Sequence, residues 1–306
     1  MSEEVLENVF LGVKDDQILV SSSSMNEDNR RINENNLKNT FFQDGEFYNI
    51  DKMVLIHNPW GRNFQHFIDE TLPICIECKE DPEVYVSVWP KFGDDIINFL
   101  QINNIKKIKN NTCFYVKRLI RKKLKYIDFK MNEKCNVNKP LSYVRGNVQT
   151  FLNKKNPKTL FIKRDVEKRQ CKNINQLTSA LQLKYDADVI ENFSDLTVRE
   201  KIIILNYYDN IISMYGATSA NVLFKQTGAW LILSHPCGGD TKFISNLNTD
   251  LNIQPIDDIS EYLDQNSITN HGEGVSEDTE FIINVNKCLE KIDQALNQSE
   301  EKLSTK

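Results

Sequence analysis

Residues 208–236 read YDNIISMYGATSANVLFKQTGAWLILSHP. An apolar run around Ile211 and Ile212 ends at Gly216. A short segment compatible with a helix follows, from Ser219 to Phe224, and a second apolar run covers Trp230 to Leu233. This is the pattern of strand, glycine turn, helix and strand: one βαβ unit with its turn at the carboxyl end of a strand. In open α/β sheets that end of the sheet binds ligands, on backbone N–H groups at a helix N-terminus. The stretch therefore marks the first place to look for a nucleotide or a phosphorylated ligand.

Outward from this unit, strands and helices alternate in two series. Before residue 155 the strand runs are 53–57 (MVLIH), 83–89 (EVYVSVW) and 112–120 (TCFYVKRLI), with helical spacing over 63–79, 93–103 and 137–153. Pro73 falls inside the first helix and predicts a kink or break, because it has no N–H to donate. After residue 155 the strand runs are 159–163 (TLFIK), 188–192 (DVIEN) and 252–256 (NIQPI). Helices are expected over 173–183, over 195–207 with Ser194 as its cap, and over 278–298. Ahead of both series, 9–20 read as two strands turning at Asp15 and Asp16, and 21–38 as a solvated, flexible loop of Ser, Asn and charge.

The NKKNPK stretch near residue 155 is the candidate linker. The expected organisation is an N-terminal domain over 1–155, a C-terminal domain over 156–270, and a helix with a polar tail over 271–306. Two doubly wound, Rossmann-like α/β domains facing one another across a cleft is the simplest architecture. The terminal helix is the element able to cross back onto the first domain.

Bulk composition narrows the function classes. The chain has 306 residues and a formal net charge of −5, so its global charge gives no support to nucleic-acid binding. Residues 106–125 carry nine Lys and Arg side chains, read here as a solvated face. The N-terminus lacks a signal-peptide pattern and no apolar run is long enough to span a bilayer, so a soluble, cytoplasmic protein is expected. Seven cysteines, at 75, 78, 113, 135, 171, 237 and 288, are odd in number and scattered. They are read as reduced thiols and not as a zinc site. Asp186 and Asp188 form an Asp-x-Asp pair, but they precede a strand, where a metal clamp follows one. No metal and no cofactor are expected.

Three segments together resemble glycosyltransferase family 61, which includes EGF-domain-specific and mannose-directed O-GlcNAc transferases and plant xylan arabinosyl- and xylosyltransferases. The first is NFQHFIDETLP (63–73), similar to the family's Asn-aromatic-x-His-aromatic-x-Asp-x-x-x-Pro. The second is LFIKRDVEKRQ (160–170), similar to a strand ending in Ser-Arg-Arg. The third runs from Tyr215 to Asn221, similar to His-Gly-Ala-Gly-Leu-Thr-Asn, and continues through Thr227-Gly228 into the next strand. Tyr215 stands where the family has His, and Leu233 where a Glu often ends the strand.

The resemblance implies a GT-B type fold and an inverting, metal-independent transfer of a sugar from a nucleotide-sugar donor to a glycan or glycoprotein acceptor. Such a transfer needs a base, donors for the leaving diphosphate and a platform for the nucleotide. Asp69 matches the family's acidic position and is the candidate base. His66, three residues earlier, is placed to orient it or the acceptor, while Glu70 is read as solvent-exposed. Arg164 and Lys163, at the end of a strand, suit a diphosphate, with Arg169 assisting. Gly216, Ala217, Ser219 and Asn221 form the anion-binding turn, Tyr215 lies against the ligand, and His235 sits just beyond the second strand. Tyr215 and Leu233 keep a second reading open, a catalytically silent glycan- or nucleotide-binding module. Another group transferase using the same anion site is a third.

Overall fold

The computed structural model describes residues 2–14, 17–22, 46–58, 61–109, 112–123, 156–164, 170–236, 251–263 and 280–304. The expected loop beyond residue 22, the turn at 15–16, the helix over 137–153 and the linker before 156 lie outside the described residues, as do Arg169, Cys135 and Cys237. The chain is α/β, with parallel strands in each of its three sheets. It divides into two compact units, Met1–Pro140 and Leu141–Lys306.

The N-terminal unit is built on a six-stranded sheet of order β2-β1-β6-β3-β4-β5. Its strands are β1 (Ser2–Lys14), β2 (Gln17–Ser22), β3 (Glu46–Ile56), β4 (Val84–Val86), β5 (Ile105–Lys107) and β6 (Thr112–Lys123). The hairpin β1–β2 is antiparallel and β1 runs antiparallel to β6, whereas β6, β3, β4 and β5 form a parallel block. Val9, Leu11, Val13, Met53, Leu55, Val116 and Leu119 make one apolar cluster on this sheet. The basic stretch is interleaved with acids from neighbouring elements: Lys106 pairs with Glu83 at 2.7 Å, Lys117 with Asp51 at 2.7 Å, Arg121 with Glu4 at 3.0 Å, and Lys107 with Asp94. These partners explain why so many like charges sit on one stretch of chain.

Helix α1 (64–77) shows what Pro73 does. A first α-turn, Phe64–His66, widens into a π-helical turn, Phe67–Thr71, before regular helix resumes over Leu72–Glu77. The Leu72 amide bonds the Phe67 carbonyl, five residues back. Pro73 has no amide proton for the carbonyl of Asp69, and its ring crowds that turn. The helix answers with a bulge immediately before the proline instead of a break. Helix α2 (Gly93–Phe99) is shorter than the spacing predicts and ends where Gln101 takes a φ of +56°. Strand β4 is shorter too, ending at Val86.

The C-terminal unit carries a five-stranded, fully parallel sheet of order β12-β11-β10-β7-β9. Its strands are β7 (Asn156–Ile162), β9 (Asp188–Ile190), β10 (Tyr208–Met214), β11 (Ala229–Leu233) and β12 (Asn252–Ile256), with β8 (Gln170–Cys171) lying between β7 and β9 in the chain. Every residue of β11 is buried, as expected for a strand covered on both faces. The Trp230 indole is fully buried and donates to Ser213 Oγ on β10 at 2.9 Å, so its N–H is satisfied. In chain order the sheet runs 2-1-3-4-5, a doubly wound arrangement whose switch point falls between β7 and β10.

Helix α3 (Ile174–Tyr185) follows β8, and helix α4 (Val198–Tyr207) precedes β10. The cap of α4 is Thr197, not Ser194. Thr197 Oγ1 accepts the Glu200 amide while Glu200 Oε2 accepts the Thr197 amide, a complete capping box. Ser194 falls in a separate 3-10 turn, Phe193–Asp195. At the other end of α4, the buried Lys225 donates to the carbonyls of Leu205 (2.9 Å) and Tyr208 (2.7 Å), closing the helix with a cation where its carbonyls are exposed. The segment after Gly216 is a 3-10 helix, Ala217–Phe224, and not an α-helix.

A small sheet of β13 (Ser260–Tyr262), β14 (Glu280–Ile283) and β8 completes the unit. The terminal helix α5 (Val285–Ser304) buries Cys288, Ile292 and Ala295 in this unit's core beside Leu177, Leu181, Leu231 and Ile256. Tyr185 fixes it there, its single O–H shared between the Leu289 carbonyl (3.0 Å) and Asp293 Oδ1 (2.8 Å). The helix that was free by sequence to cross back onto the first domain thus completes the C-terminal core.

Candidate active site

At the switch point of the parallel sheet, β7 delivers Lys163 and Arg164 beside the end of β10. Arg164 Nη1 donates to the carbonyl of Tyr215 at 3.1 Å. The next residue, Gly216, has φ +153° and ψ −170°, a conformation that residues with a side chain rarely adopt. A Cβ built there would lie 3.7 Å from the Arg164 guanidinium. The glycine is therefore required by its backbone shape, and it leaves a guanidinium and a bare backbone side by side. Lys163 is drawn the other way, to Glu191 Oε1 just past β9 at 2.7 Å and to Asn175 Oδ1 in the first turn of α3 at 3.4 Å.

The 3-10 turn behind Gly216 contains two buried side-chain oxygens that are unpaired among the described residues. Ser219 is fully buried, and its Oγ meets no partner among the described residues. Asn221, 3% exposed, gives its amide to the Thr218 carbonyl at 2.8 Å, while its Oδ1 is buried and unpaired. Leaving such groups unsatisfied costs on the order of 1–3 kcal/mol each, a cost normally met by a ligand or an ordered water. Ala217 occupies the first position of the turn. Beyond it, the buried His235 stands edge-on to the Tyr215 ring, centroids 5.4 Å apart and planes at 80°.

In the N-terminal unit, polar groups gather at the carboxyl ends of β3 and β4. His66 Nδ1 lies 2.9 Å from Glu70 Oε1, one turn along α1. Glu70 is 17% exposed at its side chain, so it is this histidine's partner and not a solvated surface residue. Residues four apart share a helix face, which is what brings the pair together. Asp69 contributes its backbone to the π-helical turn; its side chain lies outside what the structure describes. The buried Asn58 ties the loop after β3 to this turn, donating to the His66 carbonyl (3.3 Å) and to Thr71 Oγ1 (3.2 Å). His57 Nδ1 is 2.7 Å from the buried Ser87 Oγ.

Asn58, His57 and Ser87 escaped the sequence reading. The signal that finds them is position: each is one or two residues past the end of a parallel strand. Among the described residues, no three His, Cys, Asp or Glu side chains gather as a metal site requires. No helix among them is long and apolar enough to cross a membrane.

The sequence profile described as Glycosyltransferase 61 matches residues 64–232, more than half of the chain, from the start of α1 to the penultimate residue of β11. The chain belongs to the glycosyltransferase 61 family. A search of the curated proteins returns no match. Membership supports glycosyltransferase activity, which acts on a donor and an acceptor, and both polar edges just described fall largely inside the matched span. Within this family member, the α1 pair His66–Glu70 is braced by the buried Asn58, and the turn after β10 by the half-buried Arg164 at the end of β7.

Proposed function

We propose that the protein moves a sugar from a nucleotide-sugar donor to a glycan or glycoprotein acceptor, with inversion and without a metal ion. The donor's diphosphate rests on the turn after β10, and the base that activates the acceptor comes from the N-terminal unit. The observation that carries this reading is the switch-point turn, where Arg164 lies against Gly216 and the buried Ser219 Oγ and Asn221 Oδ1 have no partner among the described residues. A guanidinium and free backbone there suit two phosphates, and in a metal-independent transfer Arg164 supplies the positive charge. The acceptor hydroxyl attacks the anomeric carbon as the bond to the diphosphate oxygen breaks. Its proton goes to Asp69, and His66 with Glu70 orients the reacting groups. The GT-B arrangement belongs to the same proposal; it is supported by the doubly wound order of the C-terminal sheet and the parallel block of the N-terminal one.

Thermal-shift titration with uridine and guanosine diphosphates and their sugars tests the donor side. Product mass then separates sugar transfer from transfer of another group. Asp69→Asn is expected to abolish turnover while nucleotide binding persists; near-normal turnover in that variant would refute the base assignment. A second reading, a silent binding module, is favoured by Tyr215 standing in the turn, because a phenol donates a hydrogen bond but does not carry the positive charge of an imidazolium. Binding of nucleotide sugars with neither hydrolysis nor transfer would establish it.

A further inference from the structure

The carboxyl edge of the parallel sheet continues beyond the anion turn. The Tyr215 amide bonds the Leu233 carbonyl (2.9 Å), and the Ser234 amide bonds the Ile256 carbonyl (3.2 Å). With Met214 opposite Leu233 and Leu233 opposite Ile256, the residues just past the three strands, Tyr215, Ser234 and Asp257, stand in one row. Ser234 is buried, and its Oγ is hydrogen-bonded to Asp257 Oδ1. The Ser234 carbonyl is in turn held by Ser260 Oγ at 3.0 Å, and the Asp257 carbonyl by Lys291 Nζ at 2.6 Å, so both strand ends are fixed from behind. The Asp257 side chain is exposed on this edge. Adjacent strands are about 4.8 Å apart, which puts Asp257 roughly 10 Å along the edge from Tyr215.

We propose that Asp257, oriented by Ser234, binds neighbouring hydroxyls of a sugar ring joined directly to the diphosphate. The proposal rests on the donor reading above. From Arg164 to Asp257 the edge runs guanidinium, open backbone turn, imidazole and carboxylate, which is the order of charge that a diphosphate followed by a polyhydroxylated ring requires. An ionised carboxylate is acceptor-only, with two oxygens and several lone pairs. One oxygen is committed to Ser234, and both have capacity for hydroxyl donors, giving charge-assisted bonds that neither a phosphate nor an apolar ring supplies. Two rings in a nucleotide sugar satisfy this chemistry, the ribose and the transferred sugar.

Binding measurements on the full chain distinguish them, using pyrophosphate, UDP, 2′-deoxy-UDP, GDP, UDP-glucose and GDP-mannose with wild type and Asp257→Asn. If the ribose is bound, Asp257→Asn weakens UDP or GDP about tenfold and no longer distinguishes UDP from its 2′-deoxy form. If the transferred sugar is bound, the free diphosphates are unaffected and the sugar esters lose about tenfold. In either case pyrophosphate binds both proteins equally. The proposal is overturned if Asp257→Asn holds every sugar-bearing probe as tightly as wild type while pyrophosphate still binds. If wild type binds none of the probes, pyrophosphate included, the donor reading itself fails and this assignment falls with it. Ser234→Ala, which leaves the carboxylate in place but unoriented, is expected to show the same loss at about threefold, and an unchanged Tm in both variants excludes a folding defect.

Discussion

The two polar edges of this molecule are built by different means. After β10 the C-terminal unit uses backbone: a glycine at φ +153°, a 3-10 turn and one guanidinium reaching across from β7. In the N-terminal unit side chains do the work, since His66 at the end of an α-turn meets Glu70 on the π-helical turn that follows, and Asn58 braces the junction. The difference suits their proposed tasks. Fixed N–H groups and a permanent cation stabilise phosphate charge without changing state, whereas moving a proton needs groups that can gain and lose one. A widened turn is also costlier to hold than a regular one, and bulges of this kind recur where function needs them.

The sharpest way to break the comparison is to remove the guanidinium that lies against the backbone-built turn. Arg164→Ala is expected to lower kcat/KM roughly 1,000-fold, about 4 kcal/mol of transition-state stabilisation, with steady-state kinetics as the check and Tm nearly unchanged. Next is the glycine that closes the same βαβ unit. Gly228 has φ +95°, and a Cβ there would meet the Asp209 carbonyl oxygen at 2.0 Å. Gly228→Ala is therefore expected to cost roughly 3 kcal/mol of stability, read as a lower urea midpoint. On the side-chain-built edge, Glu70→Gln keeps the shape of the His66 pair but not its charge. An expected fall of about tenfold in kcat, near 1.4 kcal/mol, with KM and Tm unchanged, would separate an orienting role from a purely structural one.

The smallest expected effect is a pH dependence confined to the C-terminal core. Burial, with a lesser contribution from nearby Cys171, pushes the Cys288 thiol from 9.0 up to about 12. Below pH 9 the thiol is protonated folded and unfolded alike, and its burial contributes fully. As pH rises from 9 toward 12, the unfolded chain releases the proton that the folded one retains, so stability falls. About 1 kcal/mol is expected to be lost by pH 10, and Cys288→Ala, although less stable throughout, is expected to show a shallower decline of Tm between pH 8 and 10.

Much of this was legible in the chain. The apolar runs at 53–57, 159–163, 211–212 and 230–233 fall in or across the strands, because strands covered on both faces must be continuously apolar. Pro73 announced a disturbed helix, but whether it would break, kink or bulge depended on the carbonyl it left unbonded. The wrong cap at Ser194 has a similar origin: Ser194 and Thr197 both suit an N-cap, and the deciding partner, Glu200, lies three residues after only one of them. Glu70 was assigned to solvent because spacing alone does not say which of two adjacent acids a histidine will choose.

The sequence by itself determined which segments form the buried strands and which turn demands glycine, because burial and backbone shape leave a periodic, local mark. Which ends stand next to each other was decided only by the tertiary structure. Arg164 meets Tyr215 across 51 positions, and Ser234 meets Asp257 across 23, because β7 pairs with β10 and β11 with β12. Strand order depends on how whole helices and strands pack against one another, and no window of residues contains it.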